Sequence, residues 1–455
     1  MKTQFAVLTD RSLKGSNAGS FLPHVQEAPR VPAANKASHS PAQAGGAPRR
    51  LQFPSRRYRL LCALALSCAL PVPAQTPQPV QPATAARTAT AETPSDLSAV
   101  LAHHAALVHA SYLDTLAAAG SMQQKVEAFA ARPSAAGLQA AQEAWRAARE
   151  FYGQTEAFRF YGGPIDDDDG PEGRLNAWPM DESYVDGVSG QADSGLINDR
   201  RFVIDKKNLA AQNERGGEEN VATGWHAIEF LLWGQDLSED GPGQRDFEDF
   251  VDGKAPNAER RRQYLRVATD LLIDDLNALV QAWAPAGRNY RAAFERAGAE
   301  SLRKLFVGLG SLSRGELAGE RLEVALATRD QEDEHSCFSD NTHRDAVTNA
   351  LGIENVWLGR LRRADGSVLQ GPSLRDWVAR QDAALAERSS RQIAASVKAA
   401  EAIQAPFDRE IAGGADGRGR ERIERATAAL TLQSKTLVEA ANAVGIERLN
   451  LVQPQ

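Results

Sequence analysis

The chain predicts an all-α protein: two helical domains built as bundles, with a long ordered loop in the first. Three observations point there. Apolar residues recur at helical spacing through most of residues 95–450. No apolar segment of useful length alternates with period two. The Gly- and Pro-rich breaks between the periodic stretches are short, except over residues 161–200.

The first part of the chain has a different character. Arg56, Arg57 and Arg59 precede an apolar run from Leu60 to Leu70, then Val72-Pro73-Ala74. A basic stretch, a short apolar stretch and a small-residue site form a secretory signal, with cleavage expected after Ala74. The apolar run is too short for a stable span, so the mature chain is not transmembrane. Residues 75–94 are rich in Pro, Ala, Thr and Gln and read as a flexible linker. About 360 residues remain, enough for two domains. Residues 1–74 carry ten Lys/Arg and two Asp/Glu, so cleavage takes the formal charge from −7 to −15. That acidity argues against nucleic acid as a partner. Only Cys337 remains after cleavage, so no intramolecular disulfide forms.

The elements follow in order. Ser95 or Asp96 caps a helix whose face runs Leu97, Leu101, His104, Val108, and Gly120 stops it. Pro133-Ser134 opens a second helix carrying Leu138, Trp145 and Phe151. Residues 161–200 form the long loop; Trp178, Met180 and Tyr184 within it call for burial, and a loop this long is usually functional. A helix over 219–233 ends at Gly234. The turn-rich stretch from Gly241 to Pro256 divides an N-terminal domain, 95–255, from a C-terminal one, 256–450. Helices are expected near 257–283, 288–313 and 315–333, then from 342 to about 360, and finally near 372–405 and 418–444.

The chemistry centres on Gly224-Trp225-His226-Ala227-Ile228-Glu229. An imidazole and a carboxylate three residues apart share one helix face. In so apolar a segment they can hold one metal ion, share one proton, or satisfy each other in a core. Imidazole nitrogen and carboxylate oxygen both suit iron or zinc, and facing helices of a bundle supply further ligands. Neither H-E-x-x-H nor H-x-x-E-H is present, because position 230 is Phe230. A second polar cluster runs from Glu332 to Asp345 and includes His335, Cys337, Asp340 and His343; it can ligate a metal, or end one helix and cap the next. The acid run Asp166 to Asp169 lacks the spacing of a calcium loop and reads as a solvated turn.

Several segments together resemble one family. Gly224-x-His226-x-x-Glu229 with the following Phe-Leu-Leu-Trp-Gly-Gln-Asp is similar to the G-x-H-x-x-E signature of the imelysin-like, or M75 peptidase, family. The stretches Gln154 to Pro164, Gly173 to Pro179 and Gln331 to Asp345 resemble its iron-regulated protein A branch. The resemblance implies two all-α domains related to four-helix bundles, with the signature helix near their interface. It implies a protein of the periplasm or cell envelope, tied to iron. It makes His226 and Glu229 the metal contacts, with Glu156 next and Asp340 and His343 below it. The expected function is binding of iron, or of zinc, in uptake or delivery with envelope iron-transport components. The alternatives are a metallopeptidase using the same pair, and a non-catalytic receptor for haem, a siderophore or a peptide.

Overall fold

The signature helix is short because its first residue is held in a conformation that only glycine adopts easily. In the computed structural model, which describes residues 96–453 apart from Glu239, this helix spans Gly224–Trp233. Gly224 has φ +83°, and a Cβ there would lie 2.4 Å from the Leu175 carbonyl oxygen. Thr223 before it is extended, so the expected start at 219 moves to 224. Gly234, also at positive φ, ends the helix and donates to Phe230 O at 2.7 Å. All ten residues of the helix are buried.

Four elements precede it. α1 is Asp96–Ala131, α2 is Ala135–Thr155, and α3 (Glu172–Leu175) and α4 (Lys206–Ala210) are short turns within the long loop. The signature helix is α5. After it come α6 (Ala258–Ala282), α7 (Tyr290–Arg296) and α8 (Ala299–Ser311). The chain runs on through a π-helical stretch, Leu312–Glu323, into α9 (Val324–Thr328). α10 (Thr342–Leu358) follows, then β1 (Arg360–Arg362) and β2 (Val368–Gln370). The last four helices are α11 (Leu374–Ala379), α12 (Ala383–Glu401), α13 (Phe407–Ala412) and α14 (Gly419–Ala443).

Among the described residues the fold is all-α apart from one antiparallel hairpin, β1 with β2, in which Leu361 pairs with Leu369. Among the described residues no helix is long and apolar enough to cross a membrane. The expected export signal and linker, residues 1–94, lie outside the described residues.

α1, α2, α5 and α6 pack on one another, as do α8 with its π-helical continuation, α10, α12 and α14. α2 lies against α10 and joins the two sets. That crossing is close: a Cβ on Gly352 would lie 2.4 Å from the Gln154 carbonyl oxygen. Polar bonds hold its register, with Asn349 Nδ2 donating to Gly153 O at 3.0 Å and Arg344 Nη2 paired with Glu150 at 2.7 Å.

Three expectations need correction. Gly120 does not stop α1; Met122, Val126 and Phe129 beyond it are buried, and packing outweighs glycine's cost of about 1 kcal/mol. The helix expected over 288–313 breaks at Gly298, where φ is +57°, and the one expected over 315–333 is continuous with α8 up to Thr328. The stretches expected as 372–405 and 418–444 contain three helices, because Asp382 caps α12 through Leu385 N, and a fourth, α13, lies between them before the Gly-rich turn at 413–417.

Two glycine variants separate these roles. Gly224→Ala should cost about 3 kcal/mol or more, from left-handed strain plus the clash on Leu175 O. Gly120→Ala, whose Cβ meets nothing within 4 Å, should stabilise by up to about 1 kcal/mol. Denaturant unfolding of both measures this; equal stabilities would contradict the steric account.

Candidate metal centre in the buried core

His226 and Glu229 meet as the helical spacing dictates. His226 Nδ1 lies 2.8 Å from Glu229 Oε2, with the side chains 2% and 0% exposed. The other carboxylate oxygen, Oε1, accepts the Ser339 amide at 2.9 Å and the Ser339 hydroxyl at 2.6 Å. Burial pushes the Glu229 carboxyl up to about 8, against the pull of the Ser339 hydroxyl and of Arg149. Burial, and after it the Arg149 charge, holds the His226 imidazole well below its ordinary range. At neutral pH the ring is therefore uncharged. Its second nitrogen, Nε2, is buried and has no hydrogen-bond partner. An orphaned buried polar atom costs about 1–3 kcal/mol, and such an atom in a native core calls for a reason.

A second histidine–carboxylate pair faces the first. The His226 and His335 rings are 4.8 Å apart at 73°, edge to face. His335 Nδ1 lies 2.7 Å from Asp345 Oδ2, which also accepts the Ser336 hydroxyl at 2.5 Å. Arg149 Nη2 lies 3.0 Å from Asp345 Oδ1, and Arg149 Nη1 donates to Asn176 Oδ1 at 2.6 Å. The Asn176 amide reaches His335 Nε2 at 3.3 Å, and the Trp178 and His335 rings meet edge to face with centroids 5.1 Å apart. The long loop thus delivers Asn176 and Trp178 to the core. Burial raises the Asp345 carboxyl, but Arg149 and His335 outweigh it and hold it well below the usual carboxylate range.

Glu156 sits elsewhere in the same core. It opens the 3₁₀ turn that ends α2, and its Oε2 lies 2.6 Å from both Arg159 Nη1 and Arg321 Nη2. Burial opposes its ionisation, but the two guanidinium groups prevail and hold it at about 2. Arg321 also binds Glu316 at 2.7 Å and Asn349 at 2.6 Å. Glu156 is therefore the anion of an arginine cluster whose charge reaches His226 and His335 without contact. Of the lower candidates, His343 Nδ1 donates to the Asp340 carbonyl at 3.0 Å, and the Asp340 side chain faces a different cluster. Asp166 accepts the Gly163 amide at 2.8 Å and closes its own turn.

Four contributors escaped the sequence reading: Arg149, Asn176, Arg321 and Ser339. Two left a signal. Arg149 shares a helical stripe with Trp145, Ala148 and Tyr152, and Arg321 one with Leu317, Ala318 and Leu322, all of them buried. An arginine on an apolar stripe marks a buried ion pair. Asn176 and Ser339 are loop residues inside the stretches 173–179 and 331–345, where nothing marks either one individually.

The sequence profile of imelysin, the peptidase M75 family, matches residues 108–437, a span holding both histidine pairs and Glu156. The chain belongs to the imelysin family. It is similar to iron-regulated protein A of Synechococcus elongatus, 28% identical over 338 residues, 72% of this chain and 80% of that one. Two solved structures share the imelysin fold. One, described as an iron-regulated protein A precursor from Parabacteroides distasonis, aligns with TM-score 0.57 at 19% identity over 77% of this chain and 97% of its own. The other, an imelysin-like protein from Psychrobacter arcticum, aligns with TM-score 0.57 at 15% identity over 78% and 96%.

The Glu156 cluster has a pH signature. Its folded carboxyl is held at about 2 against an ordinary 4.5, so its contribution is fully present above 4.5 and is lost as pH falls towards 2. Glu156→Gln should cost about 3–5 kcal/mol at pH 7, from two buried guanidinium groups left short of charge. It should also lose less stability than the wild type between pH 5 and pH 2. Parallel acid-unfolding curves would contradict the pairing.

Proposed function

We propose that this chain binds iron at Nε2 of His226 and serves iron uptake or delivery in the cell envelope. The observation that carries the proposal is that nitrogen, buried and without a partner beside a second imidazole. Neutral imidazole suits iron and zinc alike; iron is preferred because the relatives are named for iron regulation. The signal expected over residues 56–74 supports export, and envelope iron-transport components are the partners proposed.

Glu229 then has a different role from the one its spacing suggests. Both its oxygens are held, one by His226 and one by Ser339, so it orients the ring instead of sharing the ion. With Glu229 ionised, the His226 Nδ1–H donates to Oε2 and leaves the Nε2 lone pair free. With Glu229 protonated, the acid donates to Nδ1 and the proton on the ring sits at Nε2. Loading the site therefore releases close to one proton per chain at pH 7, since Glu229 titrates at about 8. When bound, the metal would be carried cargo. The peptidase alternative draws no support from Glu229, whose oxygens are both engaged and whose pKa leaves it mostly protonated at neutral pH.

Calorimetric titration with ferrous iron under anaerobic conditions tests this. His226→Ala should weaken binding at this site beyond detection, and Glu229→Gln should weaken it about 10–100-fold, as loss of an orienting partner does. Wild-type heats in buffers of different ionisation enthalpy should report the released proton. Wild-type affinity retained in His226→Ala would overturn the assignment.

A further inference from the structure

A separate cluster of carboxylates lies where three distant segments meet. Asp236 follows α5, Asp340 lies in the loop before α10, and Asp408 is in the first turn of α13. One oxygen from each lies within 4.8 Å of the other two, and all three side chains are buried. Among the described residues this is the only group of three or more Asp, Glu, His or Cys so disposed. Like charges held this close and away from water repel one another.

Among the described residues Asp236 and Asp340 form no ion pair; the charge of Arg146, which lines the same cavity as Asp340, reaches Asp340 without one. Ser238 N donates to Asp236 Oδ1 at 3.0 Å. Asp236 Oδ2 and both oxygens of Asp340 are buried and find no hydrogen-bond donor outside the carboxylates themselves. A fourth carboxylate points the same way. Glu334 is 1% exposed, and it faces Asp408, Asp340 and the side chain of Thr342, with no cation among them. No salt bridge involves Asp236, Asp340 or Glu334 among the described residues. Two surface cavities reach the cluster. One of about 540 Å³ is lined by Asp340, Arg146 and His343; another of about 490 Å³ is lined by Asp236, Asp408 and Gln331. An ion therefore has a path from solvent.

We propose that Asp236, Asp340 and Asp408, with Glu334 beside them, form a second cation site for a hard divalent ion of the Ca²⁺ or Mn²⁺ class. The donors are all oxygen, which selects hard cations over those that prefer nitrogen or sulfur. The spacing is compatible with one shared ion: oxygens bound to Ca²⁺ at about 2.3–2.6 Å lie no more than about 5 Å apart, and these lie within 4.8 Å. The ion would tie the segment after α5, the loop before α10 and the start of α13 to one another. It is distinct from the His226 centre, although the two share a loop: Ser339 holds Glu229 and its neighbour Asp340 faces the carboxylates.

The test uses the full chain, stripped with chelator, titrated with CaCl₂ and separately with MnCl₂ by calorimetry and by thermal unfolding. Wild type and His226→Ala should each bind one ion per chain and gain Tm with it. Asp340→Asn and Asp408→Asn should lose at least 100-fold in affinity and lose the cation-dependent rise in Tm. In the absence of ion their Tm should match or exceed the wild type, because a repelling charge is gone; that shows they fold. Asn tolerates the left-handed backbone at residue 340, φ +55°, so the substitution adds no strain of its own. Wild type that shows neither binding heat nor a Tm shift with either ion at millimolar concentration would overturn the proposal, since the carboxylates would then be sharing protons. Asn variants that bind like wild type would overturn it too.

Discussion

The ion pair between Arg149 and Asp345, both 1% exposed, is the interaction on which the rest of the core depends. Neither charge can be buried alone: an unpaired ion there would cost several kcal/mol, whereas the pair with its hydrogen bonds is tolerated. Arg149 comes from α2 and Asp345 from α10, so the pair fixes the crossing that joins the two helical sets. Its remaining bonds then organise the site. Arg149 holds Asn176 of the long loop, Asp345 holds His335, and His335 faces His226. The Arg149 charge also helps keep His226 neutral, which is the state a metal ligand needs.

Two kinds of signal made much of this legible in the sequence. Helical periodicity, with no alternation, was enough for an all-α protein, because packing decides helices of this length. The His226–Glu229 contact followed from i,i+3 geometry alone. What failed was punctuation. Gly120 lies inside α1, since buried Met122 and Phe129 beyond it outweigh one glycine; Gly224 begins a helix, since its neighbour's carbonyl leaves no room for a Cβ. Neither fact is visible without tertiary contacts. The hairpin of Arg360–Arg362 with Val368–Gln370 was missed because three residues per strand carry no readable period.

The site was less legible than the fold for a related reason. Spacing locates residues on one element, but Glu156, Arg321 and Asn349 come from three, and which carboxylate meets which cation is a long-range matter. The resemblance pointed to Glu156 as a metal contact; Arg159 and Arg321 hold its Oε2, while its Oε1 is buried without a partner. The stretch from Glu332 to Asp345 was recognised as polar and dense, yet its parts divide among two jobs. His335, Ser336, Ser339 and Asp345 build the histidine pairs, whereas Glu334 and Asp340 turn to Asp236 and Asp408. One loop before α10 thus serves two polar centres.

The central claim is that His226 presents Nε2 to iron while Glu229 holds the ring from behind. Anomalous diffraction from iron-soaked crystals, recorded on both sides of the iron absorption edge, tests it most directly. The account predicts an iron peak at bonding distance from His226 Nε2, with the Nδ1 contact to Glu229 retained. A peak found only among Asp236, Asp340 and Asp408, or iron held by Glu229 with His226 Nε2 still unpartnered, would contradict it.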